Sequence, residues 1–452
     1  MELGKEFTFR LSEIYYEKYY EKYNKIGGII SDMLQKAKHH IGNLLPALRS
    51  YNFRLYFIGQ GVSLVGSWMQ TVAGQWLIYP VLTGNKSYLG LVGAINLTPT
   101  LVLALLGGVL ADRVDKKRTM ILFQSFYAVS AFTLFLLIAT QSIRIWHVFL
   151  AAAVNGIIFA FEMPLRQTLM LSLVEKKDIA SALSLNTALF NGARSIGPAI
   201  AGLIIAGFGI GPAYLLNSLS FGAVIYAIMI MRLSSQKTQE THRGQRSVRE
   251  SFQEGIRFIR SNKYIAVLLG LLFLLALFTW PVATLLPIFA HDIFGKGEVG
   301  FGMLQSFFGL GGAAGALGFH RLFTAWKNKF PLLVILFGTA FFYIAVFAVS
   351  KSFYLSLALA LFGGWAVATA ITTINSLVQI QTPDALRGRI LSFYSVTLIG
   401  GMALGALLAS AVVGTIGPRM TVLASALAFA ILSALIMSMT GNKLRAKLAA
   451  MV

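Results

Sequence analysis

Glu162 and Arg166 stand four residues apart inside an otherwise apolar stretch. At that spacing they share one face of a helix, where they fit either a gating salt bridge or a proton-carrying carboxylate beside a cation. A second cation, Arg194, lies in another apolar stretch shortly before Gly197-Pro198. Ionisable groups inside a membrane are expensive, so each is a functional candidate by default. Bond-making chemistry has no comparable support. There is no cysteine, and the six histidines (His39, His40, His147, His242, His291, His320) form no HxxxH pair. No nucleophile stands with a base, and no Gly-rich phosphate loop runs into Lys-Ser/Thr. Disulfides and thiolate metal sites are excluded, and neither catalysis, a metal, a cofactor nor direct drive by ATP is expected.

Polar residues at helical spacing extend the set. One stripe holds Gln60, Ser63, Ser67 and Gln70, a second holds Asn155, Phe159, Glu162 and Arg166, and a third holds Trp365, Thr369, Thr372 and Ser376. Each follows the i, i+3/4, i+7, i+11 pattern of a single helix face. Such a face either lines a wet cavity or bonds to a neighbouring helix, a routine use of Ser, Thr and Asn in bundles. The larger groups of Gln60, Gln70, Trp280 and Trp365 suit a binding site better.

The elements that must carry these stripes are spanning helices. The 452 residues are 56% hydrophobic and only 12% charged, with a mean hydropathy of +0.71. A bilayer core of about 30 Å takes about 20 apolar residues per helix. Twelve such segments read at 53–82, 89–109, 119–139, 146–162, 185–208, 212–232, 264–290, 299–319, 331–350, 354–377, 389–413 and 419–440. Basic residues gather in the arm before the first segment, at Arg113 to Arg118, at Arg166 with Lys176 and Lys177, between Arg232 and Lys263, between Arg321 and Lys329, at Arg387 with Arg389, and at Lys443 to Lys447. The other side keeps Lys86, Arg144, Lys296, Lys351 and Arg419. The positive-inside rule then puts both termini in the cytoplasm. It also accounts for the net charge of +21 through membrane lipids, without nucleic acid. The Tyr-rich arm has no short apolar core with a small-residue cleavage site, so insertion is expected to begin with the first span.

The reading divides the chain into a polar arm (1–50), a six-helix bundle (51–233), a central loop (234–263), a second six-helix bundle (264–440) and a basic tail (441–452). The bundles repeat one another: Asp178 answers Asp384, Gly211 answers Gly417 and Pro212 answers Pro418, each at an offset of 206. Six spans return the chain to its starting side, so the copies form a parallel repeat.

Gly108-Val109-Leu110-Ala111-Asp112-Arg113-Val114-Asp115-Lys116-Lys117-Arg118 closes the second segment. It resembles the loop signature of the major facilitator superfamily, and the resemblance runs from about Phe53 to Thr440. Asn52-Phe53-Arg54-Leu55-Tyr56, Gly66-Ser67-Trp68-Met69-Gln70, Pro164-Leu165-Arg166-Gln167 and Asn191-Gly192-Ala193-Arg194-Ser195-Ile196-Gly197-Pro198 are similar to its transmembrane secretion effector branch, that of enterobactin exporters and macrolide-efflux pumps.

The resemblance implies an all-α membrane protein, with twelve transmembrane helices in two parallel-repeat six-helix bundles, in a bacterial inner membrane. It implies secondary active efflux of a small organic solute, a siderophore or a drug such as a macrolide, by alternating access of a monomer with protons as the coupling ion. A lysolipid flippase or an importer on the same fold is the alternative; a lipid-modifying enzyme would need a catalytic set that the sequence lacks. In the resembled fold spans 1, 4, 7 and 10 line the cavity, which adds Trp280 and Thr284, beside Pro281 and Pro287, to the stripes. Asp112, with Arg113, is expected to latch one half against the other. Asp115 stands where the signature has Gly, and Ala152 stands where proton antiporters of the superfamily carry an arginine. Arg194 precedes a Gly-Pro signature of exporters and joins Glu162 and Arg166 as a gate or coupling residue.

Overall fold

Apolar residues dominate each segment, and in hydrocarbon a helix is the local structure that satisfies its own backbone. The computed structural model describes residues 46–232, 248–326, 328–383 and 386–449, with the side chains of 104–113, 248–252, 320 and 440–449 left aside. The Tyr-rich arm to residue 45, the central loop from 233 to 247 and the side chains of Asp112 and Arg113 lie outside the described residues.

Among the described residues the chain forms twelve long helices. They are α1 (Tyr51–Trp76), α2 (Ser87–Arg113), α3 (Lys116–Ala139), α4 (Ile145–Ser172), α5 (Ile179–Phe208), α6 (Gly211–Ile230), α7 (Lys263–Ile288), α8 (Gly297–Ala325), α9 (Lys329–Val349) and α10 (Phe353–Gln381). The last two, α11 and α12, share Arg387–Ala449 and meet at Gly417, whose φ of 76° breaks the helix. Eight stretches are individually long and apolar enough to cross a membrane, one of them the stretch that holds both α11 and α12. Exposed Leu203, Leu317, Phe362 and Ile431 give the molecule an apolar outer surface, as a bilayer solvent requires.

Several helices overrun the apolar segments. α4 continues to Ser172, ten residues past its segment, because Arg166 and Gln167 remain good helix formers after the hydrophobic run ends. The central interruption holds a helix of its own, Val248–Ser261. It docks on the start of α11 through an ion pair between Arg389 and Glu254 and through Gly255 against the Phe393 ring.

Side chains cap the helix ends, both locally and across the bundle. Ser50 accepts from the Phe53 amide and donates a 2.6 Å bond to the Leu173 carbonyl. Asp115 accepts from the Arg118 amide at 3.0 Å with φ −65°, so it starts α3 as an N-cap and the turn needs no glycine there. Lys117 donates to the carbonyls of Met229 and Met231, placing a cation at the negative end of α6.

The packing repeats as the sequence does. In the first bundle α1 packs on α5 and α6, α2 on α4, and α3 on α6; in the second, α7 packs on α11 and α12, α8 on α10, and α9 on α12. Two seams join the bundles, α5 with α8 and α2 with α11. Both are closed by glycine. A Cβ on Gly90 would lie 2.1 Å from the Ala406 carbonyl oxygen, and one on Gly302 would lie 2.4 Å from that of Pro198. Such approaches leave no room for any side chain.

Candidate functional site

Two of the three polar stripes, those of α1 and α4, face a common space that α2, α3 and α6 help to enclose. They wall a cavity of about 420 Å³ within the first bundle, a size typical of small-molecule pockets. All eight residues of these two stripes line it: Gln60, Ser63, Ser67, Gln70, Asn155, Phe159, Glu162 and Arg166. Aromatic rings of Trp68, Tyr127 and Phe190 supply much of the rest.

Glu162 is buried, at 2% exposure, and its Oε1 lies 3.4 Å from Nε of Arg166. The i,i+4 spacing therefore does produce an ion pair in the wall of the cavity. Tyr56 and Tyr127 lie within electrostatic reach of both charges. The pair is loose: Glu162 Oε1 has no hydrogen-bond partner among the described residues, and neither do Gln60 Oε1, Gln124 Oε1 or Asn155 Oδ1. A buried polar atom without a hydrogen bond is costly, and a wall with four of them can bond something that enters.

The other members of the stripes are committed to the fold. Gln70 accepts a 2.5 Å bond from Asn217 of α6, and Ser67 donates to the Ser63 carbonyl. Asn96 of α2 donates to the carbonyl of Ala152, so the position where an arginine is missing serves as an acceptor between α2 and α4. Trp280, Trp365, Thr369 and Thr372 belong to α7 and α10 of the second bundle and do not line this cavity. Thr369 and Thr372 donate to the carbonyls of Trp365 and Ala368, and the Trp280 carbonyl accepts from Thr284. Arg194 sits apart as well. Its guanidinium lies between the Trp68 ring, at 5.5 Å, and the Phe308 ring of α8, at 5.0 Å.

At the end of the bundle remote from Arg166 the two halves are tied by a polar cluster. The Tyr79 hydroxyl donates to Asp292 Oδ2 at 2.6 Å, Lys86 Nζ lies 3.3 Å from the same oxygen, and His291 Nδ1 lies 2.8 Å from Oδ1. Tyr79 follows α1 in the π-helical turn Leu77–Thr83, and Asp292 follows α7 in the matching turn Phe289–Ile293. Beneath the cluster the Trp76 ring stacks on Phe301 at 6.0 Å and meets His291 edge-on at 5.8 Å, while Gln305 donates to Gln75. The two halves are in contact at this end, and the first bundle is hollow beside Glu162.

This geometry, two helix bundles in parallel repeat with a polar cavity and a tie at one end, is that of a solute carrier, and comparison with known proteins agrees. Residues 42–450 match the family described as transmembrane secretion effector. The chain belongs to that family. It is thus a secondary transporter of the major facilitator superfamily and not an enzyme. It is 27% identical over 361 residues to the staphyloferrin A transporter of Staphylococcus aureus, covering 79% of this chain and 88% of that protein. It is 26% identical over 378 residues to the enterobactin exporter EntS of Escherichia coli, covering 83% and 87%. Its fold matches the nucleoside transporter NupG with a TM-score of 0.68 at 16% identity, over 86% of this chain and 99% of that one. A bacterial homolog of the human lysosomal transporter Spinster, in an inward-facing conformation, matches at 0.65 with 13% identity, over 88% and 98%.

In this transporter the sequence pattern missed the roles of residues that join distant segments: Tyr56 near the Glu162–Arg166 pair, Gln124, Tyr127 and Asn217 around the cavity, and Tyr79, Lys86, His291 and Asp292 at the tie. One signal was available. The remote end carries few charges, so an acid at Asp292 and a base at Lys86 stood out as a possible pair.

Proposed function

We propose that this secretion effector exports a small organic solute, siderophore-like or drug-like, in exchange for protons, by rocking its two bundles about the α5–α8 and α2–α11 seams. The basic end faces the cytoplasm with both termini, in a bacterial inner membrane, and the bundles correspond to residues 51–233 and 264–440. The observation that carries this reading is the buried Glu162–Arg166 pair in the wall of a cavity where three neighbouring side-chain amide oxygens lack hydrogen-bond partners among the described residues. A carboxylate in that position can take a proton when a ligand leaves and lose it when a ligand enters, which is the exchange an antiporter needs. Gln60, Gln124 and Asn155 bind the solute, and Arg166 holds Glu162 in place. The names of the two relatives support the solute class.

The Tyr79–Asp292–Lys86 tie closes the outer end in the present state, so the cavity is reached from the cytoplasm, and Asp292 must release Tyr79 before the solute can leave. In proteoliposomes, Glu162→Gln is expected to abolish uphill efflux driven by a pH gradient while downhill exchange of solute continues. Full pH-driven efflux by that variant would remove Glu162 as the carrier.

A further inference from the structure

Arg194 is the one cation in the described spans that touches both halves of the transporter. Its guanidinium stacks against Trp68 of α1 and Phe308 of α8, and Tyr343 of α9 lies within electrostatic reach. Among the described residues it makes no ion pair and no side-chain hydrogen bond, and its contacts are ring faces. A guanidinium carries five N–H donors and cannot shed its charge. Ring faces offset part of the desolvation of a cation but accept none of those five bonds. Arg166, by contrast, has Glu162.

We infer that Arg194 is an anion subsite of the translocation route, taking a carboxylate of the transported solute. Ring faces take up none of the guanidinium N–H groups, and a flat carboxylate meets a guanidinium with two parallel N–H···O bonds. Trp68 and Phe190, whose rings meet edge-on at 5.8 Å, also line the cavity, so a solute held there extends past Trp68 to reach Arg194. Contact with Phe308 of α8 means that movement at the α5–α8 seam changes the spacing of the two rings, which gives the two end states different affinities for the anion. A negative charge on the solute is also driven outward by an inside-negative membrane potential, adding to whatever the proton gradient supplies.

This inference rests on the transport reading for the route alone, and its test needs no gradient. The purified full chain in detergent at low ionic strength is titrated with tricarballylate, a flat-ended aliphatic triacid, and with its uncharged triamide, following tryptophan emission and thermal stability. The triacid is expected to saturate the signal, with the triamide weaker by about tenfold or more. Arg194→Gln should lose about tenfold or more in affinity while Arg194→Lys, which keeps the charge, loses less. Trp68→Phe, which removes the indole nearest the guanidinium, should lose most of the emission change. Equal binding of triamide and triacid by the unmodified chain overturns the proposal without any variant having to fold. So does wild-type affinity in folded Arg194→Gln, or an equal response to inorganic phosphate. Loss of pH-driven efflux with this binding intact counts against the coupling reading, and intact efflux with no carboxylate preference counts against Arg194.

Discussion

The Tyr79 hydroxyl and the Asp292 carboxylate, 213 residues apart in sequence, share a 2.6 Å hydrogen bond that ties the end of α1 to the end of α7. Lys86 and His291 converge on the same carboxylate, so it is the centre of the tie. Asp292→Asn should weaken all three contacts and shift the population toward the state open at that end. A loss of about 1–3 kcal/mol, the usual scale of coupling between conformations, is about a 5- to 150-fold change in the ratio of states. The chain has no cysteine, so a single cysteine at Gln305, just beneath the tie, reports directly. Its labelling by an impermeant maleimide should accelerate several-fold in the Asn variant, with Tyr79→Phe intermediate; an unchanged rate would show that the tie does not hold the end shut.

The Glu162–Arg166 pair makes a separate prediction about stability. Removing one partner of a buried pair leaves an uncompensated charge and costs about 3–5 kcal/mol, whereas removing both costs far less. Arg166→Ala should therefore lower the thermal midpoint more than the double variant Arg166→Ala with Glu162→Gln. Equal midpoints would indicate that the 3.4 Å contact contributes nothing. If the pair acts as a gate, Arg166→Ala also weakens exchange and pH-driven efflux together.

The seams tolerate no added carbon. In Gly90→Ala the new Cβ meets the Ala406 carbonyl, and in Gly302→Ala it meets that of Pro198. Overpacking of this kind costs about 1–3 kcal/mol and separates helices that must slide on each other. Transport should fall by tenfold or so in both variants (about 1.4 kcal/mol). Gly192→Ala and Gly222→Ala, whose added carbon meets nothing within 4 Å, serve as controls and should transport normally.

The orientation can be tested on the same cysteine-free background. A cysteine replacing Ser235, in the basic segment between the two bundles, should react with an impermeant reagent only after cells are permeabilised. Labelling in intact cells would reverse the placement of the cavity and of the tie.

Much of this architecture was legible in the sequence because its causes are local. Apolar length marks the spans, an offset of 206 marks the repeat, and a helical rise of about 1.5 Å per residue puts Glu162 one turn from Arg166 whatever surrounds them. The stripe on α4 likewise faces the cavity, since a helix face is fixed by periodicity. Tertiary structure alone decided which stripes share a chamber and which polar groups are already spent. Gln70 looks equivalent to Gln60 along α1, yet Gln70 accepts from Asn217 of α6 while Gln60 Oε1 has no hydrogen-bond partner among the described residues. Asp292 with Tyr79, and Arg194 between Trp68 and Phe308, join segments more than a hundred residues apart. No sequence period encodes such pairs: they depend on the axial stagger of packed helices, which the close contacts at Gly90 and Gly302 set and which shifts every facing side chain together.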